Sequence, residues 1–127
     1  MSKRVLVVED NELNLKLFCD LLRAHGHETG AVRDGRDAYA QARAFRPDLI
    51  ITDIQLPHVT GLDLIASFRG DADLAAVPIM AVTAYAGVGD EERIRAAGAS
   101  AYVSKPISVL RFMDVVNGLL TESTGNL

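Results

Sequence analysis

Apolar positions fall into two alternating kinds of segment along the chain. Short runs at residues 4–8, 28–32, 49–52, 78–82 and 101–104 have the length of strands. Between them, residues 12–25, 35–45, 61–69, 89–97 and 108–120 carry apolar residues at helical spacing. Strands alternating with helices imply βαβ units and a parallel sheet. Asn11 and Ser108 are placed as helix N-caps, and Gly26 and Gly98 as left-handed helix ends.

The runs Val5-Leu6-Val7-Val8 and Leu49-Ile50-Ile51 are apolar at every position, as strands covered on both faces must be. By contrast Glu28-Thr29-Gly30-Ala31-Val32 is more polar and reads as a sheet edge. One domain over residues 1–120 accounts for the pattern, followed by a short polar tail at 121–127. Nothing in the sequence suggests a repeat or a linker.

Composition narrows the class of partner. Of 127 residues, 49% are hydrophobic and 24% charged, ordinary values for a domain that builds its own core. A net charge of −4 with no local Lys/Arg cluster gives no basis for holding a phosphate backbone, so nucleic acid is not expected as a partner. The lone Cys19 precludes an internal disulfide and suits the core of a protein in a reducing compartment. No apolar stretch is long enough for a membrane span, and the opening apolar run stops at Glu9-Asp10. The expected location is the cytoplasm.

In doubly wound sheets, ligands bind beyond the carboxyl ends of the strands. Here those ends are Glu9-Asp10, Asp53, Thr83-Ala84 and Lys105-Pro106. If the first and third strands are neighbours, Glu9, Asp10 and Asp53 make a cluster of carboxylates that raise one another's pKa unless a cation intervenes. A hard divalent ion such as Mg2+, taking one or two carboxylates and a phosphate oxygen, resolves that conflict. Taken alone, Glu9-Asp10 is equally a polar loop and helix start. Asp53, fixed at the end of a buried strand, suits a nucleophile that forms an acyl phosphate. Lys105 would offset phosphoryl charge, while the Thr83 hydroxyl and the backbone N–H groups of Ile54 and Ala84 would donate hydrogen bonds.

Together, Val7-Val8-Glu9-Asp10-Asn11, Asp53-Ile54-Gln55-Leu56-Pro57 with Gly61, Val82-Thr83-Ala84 and Ser104-Lys105-Pro106-Ile107 resemble the signature of bacterial response-regulator receiver domains. More narrowly, 11–14, 53–57 and 89–95 are similar to a single-domain cell-cycle regulator of alphaproteobacteria. The resemblance implies a flavodoxin-like (CheY-like) α/β fold with five helices and strand order 2-1-3-4-5. It implies phosphorylation of Asp53 by a histidine kinase or histidine phosphotransferase. It further implies Mg2+ bound directly by Asp10, Asp53 and the backbone carbonyl of Gln55, and through water by Glu9. Lys105 corresponds to the phosphate-binding lysine, followed by a cis peptide at the proline. Thr83 and Tyr102 match the family's switch pair. Output would go to a downstream protein, another kinase among the candidates, from a monomer or weak dimer. Glu9 stands where many relatives carry Asp.

Two rival readings remain in view. A haloacid-dehalogenase-type phosphatase also uses a strand-end Asp, Mg2+ and a Lys, but it needs a second Asp where this chain has Gln55. A receiver fold with a purely structural, phosphorylation-independent role would leave the acidic, Thr and Lys set unexplained. His25 and His27 read as solvated loop residues, and His58 as a residue of the site rim. The first helix carries two apolar rows. Leu15, Phe18, Cys19 and Leu22 form the core stripe. Leu13, Leu17 and Leu21, with Asn14 beside them, either dock a helical kinase domain or pack against the last helix.

Overall fold

The computed structural model describes residues 3–84 and 89–124, without the side chains of 122–124. Five parallel strands run β1 (Arg4–Val8), β2 (Glu28–Val32), β3 (Leu49–Asp53), β4 (Ile79–Thr83) and β5 (Ala101–Ser104). The helices are α1 (Glu12–Ala24), α2 (Ala38–Phe45), α3 (Gly61–Arg69), α4 (Asp90–Ala97) and α5 (Val109–Thr124). Strand order is β2-β1-β3-β4-β5, as expected for the flavodoxin-like arrangement. The polar β2 is an edge strand, whereas every residue of the central β3 and β4 is buried.

Alternate residues of the apolar strands feed two cores, one on each face of the sheet. Val5, Val7, Leu49, Ile51, Met80 and Val82 pack under α1 and α5, where Phe18 and Phe112 stack with ring centroids 5.0 Å apart. Leu6, Val8, Ile50, Ile79 and Ala81 face the other way, onto Ala38, Ala42, Ile65, Phe68 and Ile94 of α2, α3 and α4. Burial of apolar surface on both faces, at about 25 cal/mol per Å², is what fixes the sheet rigidly enough to position its carboxyl-terminal ends.

The termini of the helices follow local chemistry. Asn11 caps α1 by accepting from Asn14 N, and Thr60 and Asp63 form a reciprocal capping box at α3. Gly26 (φ 86°) and Gly98 (φ 122°) take the left-handed conformations that end α1 and α4. Several boundaries differ from the sequence reading, most by a single residue, and three of the differences have a clear local form. The segment from Gly35 begins as a 3-10 turn (Gly35–Asp37) capped by Asp34, and only then becomes α2. β4 begins at Ile79 rather than Pro78, which cannot donate to a ladder. The last helix continues to Thr124, so the segment taken as a tail from residue 121 begins as helix; 125–127 lie outside the described residues.

Candidate functional site

β1 and β3 pair directly, with Val8 opposite Thr52, so Glu9-Asp10 and Asp53 leave the sheet side by side. One carboxylate oxygen from each of Glu9, Asp10 and Asp53 falls within 4.8 Å of the other two. Glu9 and Asp53 are buried and Asp10 is the more exposed member. Three hard oxygen donors at this spacing, open on one side, suit an ion such as Mg2+ that keeps some of its water.

Lys105 bridges two of the three. Its Nζ donates to Asp53 Oδ2 at 2.8 Å and to Glu9 Oε1 at 2.9 Å. The lysine reaches this point because β5 lies beside β4, with Ser104 opposite Thr83, and Lys105 N donates to Thr83 O at 2.7 Å. The Lys105-Pro106 peptide is cis, as the resemblance implied. Burial opposes the charge on Lys105, but its bonds to Asp53 and Glu9 hold its pKa above the ordinary value. Burial, reinforced by hydrogen bonding to Asp53, pushes the Glu9 carboxyl up to about 7 despite the lysine.

The turn after β3 is tightly built. Gly61 N donates to Ile54 O at 2.8 Å, and a Cβ on Gly61 would stand 2.3 Å from Asp53 O. Only glycine lets the start of α3 close on the backbone that carries Asp53. The turn also corrects one expected contact. Ile54 N–H, read as a phosphate donor, is taken up by Val82 O at 3.0 Å, because the ladder between β3 and β4 extends one residue past Asp53. Gln55 N–H faces the site instead and donates to Asp53 Oδ1 at 3.0 Å. Sequence alone gives no sign of where the ladder stops and the turn begins.

Thr83 is buried at the end of β4, one residue beyond Val82, which is the partner of Asp53 across the strand pair. Tyr102 lies on β5 opposite Ala81, half-buried against the core on the α4 face. Ala84 follows Thr83 and is exposed. His58, in a left-handed conformation (φ 73°), lines a cleft with Asp10, Arg33, Asp34 and Pro57, which places it on the rim as expected. His25 is exposed, with Nδ1 2.9 Å from Leu21 O, and His27 Nδ1 accepts from Lys3 N at 3.4 Å.

The leucine row on α1 divides. Leu13 is 80% exposed and Leu17 38%, whereas Leu21 packs against the core shared with α5. Asn14, beside Leu13, is half-buried. At the start of α5, Val109 and Leu110 are also exposed, a feature the helical period of the sequence did not single out.

Residues 5–117 match the family model described as the response regulator receiver domain. The chain belongs to that family. It is similar to the polar-differentiation response regulator DivK of Brucella anthropi, with 52% identity over 123 residues, 97% of this chain and 100% of that protein. The narrower resemblance to a cell-cycle regulator thus has its counterpart in DivK. Among solved structures, the receiver domain of a Pseudomonas aeruginosa sensor histidine kinase is 31% identical, with a TM-score of 0.86 over 94% of this chain and 98% of that one. That domain holds a magnesium ion coordinated in its active site cleft. The chemotaxis response regulator CheY4 of Vibrio cholerae is 25% identical, with a TM-score of 0.88 over 94% and 99% of the two chains. The phosphatase alternative finds no support in these likenesses, and Gln55 stands where its general acid would have to be.

Proposed function

We propose that this receiver accepts a phosphoryl group on Asp53 from a phosphohistidine of a histidine kinase or histidine phosphotransferase. The observation that carries this reading is the Asp53 carboxylate held between Lys105 Nζ and the Gln55 N–H, with Glu9 and Asp10 alongside. Mg2+ would be held directly by Asp10, Asp53 and the Gln55 carbonyl, and through water by Glu9. When bound, the ion neutralises charge on the carboxylate and the phosphoryl oxygens.

The chain's own residues do the rest. An Asp53 carboxylate oxygen attacks phosphorus, the P–N bond to the donor imidazole breaks, and the nitrogen leaves with the electron pair. Lys105 moves its charge from the free carboxylate to a phosphoryl oxygen, and Thr83, with the N–H groups of Gln55 and Ala84, donates to the others. The Thr83 hydroxyl turns toward the phosphoryl group and the Tyr102 ring reorients inward, shifting an existing equilibrium by about 1–3 kcal/mol. Donor docking uses Leu13, Asn14 and Leu17 on α1, with Leu21 supporting them from the core side.

The modified domain signals by contact with a downstream protein, a second kinase among the partners this suits, in the cytoplasm and as a monomer or weak dimer. It assists its own phosphoryl transfer and dephosphorylation and turns over no separate substrate. Incubation with a phosphohistidine donor and Mg2+ tests this: stoichiometric labelling, abolished by Asp53→Asn, is the expected result. Multiple turnover of phosphate monoesters, or normal labelling of the Asp53→Asn variant, would overturn it.

A further inference from the structure

The outer edge of β2 carries backbone groups that the sheet leaves unpaired. Arg4 is opposite Glu28, and Glu28 N donates to Lys3 O at 2.8 Å; at the far end of the strand Val32 O accepts from Glu9 N at 3.0 Å. In a parallel ladder alternate residues bond to a given neighbour, so Glu28, Gly30 and Val32 face β1, while the N–H and C=O groups of Thr29 and Ala31 point outward. Among the described residues β2 pairs with β1 alone, and no other hydrogen bond engages the backbone of Thr29 or Ala31. Ala31 is exposed. The strand carries neither proline nor lysine, and its register with β1 runs without a bulge, so it lacks the usual guards of a sheet edge.

Beside that edge runs α1. Ala31 and Cys19 share a cleft of about 320 Å³ whose wall carries Glu12, Lys16, Asp20 and Arg23. These four lie on one stripe of the helix and alternate in sign, negative, positive, negative, positive. Such an order is its own complement when reversed. Within the chain Lys16 and Arg23 reach Asp20, at 2.5 and 3.9 Å, and Arg33 reaches Glu12 at 2.6 Å. All five side chains are more than half exposed, so these pairs are weak, and each carboxylate has acceptor sites to spare.

We propose that the β2 edge is where two copies of this chain meet, antiparallel about a two-fold axis through Gly30, so that their sheets become continuous. This register sets Thr29 of each copy opposite Ala31 of the other. A bonded antiparallel pair exchanges both of its N–H···O bonds, so every outward group of Thr29 and Ala31 finds a partner. At the axis glycine meets glycine, in the closer kind of pair, with no side chain between the backbones. The same axis sets the two α1 stripes side by side and antiparallel. Cys19 lies against Thr29, and α1 runs opposite to β2. With about 1.5 Å per residue along a helix and about 3.3 Å along a strand, residues 17–18 are level with Gly30. That level is the midpoint of the stripe, so Lys16 of each copy faces Asp20 of the other, and Glu12 faces Arg23. The acidic sites, at the carboxyl ends of the strands, then point to opposite ends of the joined sheet and stay open to a donor.

Sedimentation velocity from low to high concentration, without Mg2+ or a phosphodonor, tests the interface independently of phosphoryl transfer to Asp53. The unaltered chain should pass from monomer to dimer. Ala31→Pro removes an outward N–H and leaves the β1 ladder whole, and it should weaken the dimer about 10-fold or more. Lys16→Glu and Asp20→Lys, each alone, set like charges against each other across the axis and should weaken it to a similar degree. They keep the test open if the proline disturbs β2. An equimolar mixture of the two charge variants should recover the dimer, because the Lys16→Glu chain meets the Asp20→Lys chain with opposite charges at both contacts. No change confined to one helix produces that recovery. A chain that stays monomeric at every concentration would overturn the interface. So would a dimer that all three variants leave at full strength, or a mixture no tighter than the single charge variants.

Discussion

Lys105 Nζ stands 2.8 Å from Asp53 Oδ2, across 52 residues of sequence, and the same ammonium reaches Glu9 Oε1 at 2.9 Å. One cation thus serves two buried carboxylates, which would otherwise repel each other in a region of reduced dielectric. The ammonium offsets charge in the acidic cluster, and burial, which pushes the Glu9 carboxyl up to about 7, reduces that charge further.

Removing that ammonium should therefore be costly. Lys105→Ala leaves Glu9 and Asp53 buried without their donor, and the expected loss is about 1–3 kcal/mol at neutral pH in metal-free solution. Magnesium, by binding the same carboxylates, should restore part of it. Urea unfolding with and without the ion checks both statements, and equal stability of variant and parent without metal would count against the bridge.

Gly61→Ala tests the turn that presents Asp53. The added methyl would meet Asp53 O at 2.3 Å and Ile54 Cα at 2.6 Å, and both are backbone atoms with no rotamer to yield. A cost of roughly 1–3 kcal/mol is expected, as for other overpacked sites. Phosphotransfer to Asp53 should also slow, because the carboxylate is carried on the backbone that must shift. Thermal unfolding and labelling rate, measured on the same preparation, report the two effects.

Much of this was legible beforehand. The all-apolar runs at 5–8 and 49–51 identified strands covered on both faces, and the chemistry at the strand ends pointed to Glu9, Asp10, Asp53 and Lys105, which the sheet brings together at one edge. Other features depend on geometry that residue types do not encode. Whether Ile54 or Gln55 offers its N–H to the site turns on where the β3–β4 ladder ends, a matter of one residue. The division of Leu13, Leu17 and Leu21 between solvent and core depends on how α5 lies against α1, which helical period alone leaves open. The multiple bonds of Arg69 join residues 6 to 31 positions apart, and no local pattern announces them.

Acid should loosen the α2–α3 side of the molecule. Asp71 is buried and accepts from the Tyr39 hydroxyl, from Arg43 and from Asp73 N at 2.8 Å. The Tyr39 hydrogen bond is the largest influence, and with Asp73 N–H and Arg43 it holds the Asp71 carboxyl below its ordinary value. A carboxylate depressed in the folded state binds fewer protons there than in the unfolded chain. Its contribution is thus fully present above the ordinary carboxylate value of about 3.9 and is lost as pH falls below it. Asp71→Asn should lower stability at pH 7 and flatten its decline below the ordinary carboxylate value. A decline as steep as the parent's would assign the acid sensitivity elsewhere.

The two ends of the α1 leucine row should behave differently. Leu13 is 80% exposed, so Leu13→Ala removes little buried area and should change stability by no more than about 0.5 kcal/mol. Leu21 packs against the core beside α5, and truncating it should cost about 1–3 kcal/mol, below the 2–5 kcal/mol of a fully buried leucine because it is only partly enclosed. Docking of a helical phosphodonor predicts the reverse order for transfer. Leu13→Ala should slow phosphotransfer from the histidine-containing domain several-fold, and Leu21→Ala should leave it nearly unchanged once the fraction folded is taken into account. Labelling by a small-molecule phosphodonor, which needs no docking helix, should be the same for both variants and the parent. A Leu13→Ala variant that is phosphorylated by its protein donor at the parental rate would remove the exposed row from the docking surface and leave it an ordinary solvated face.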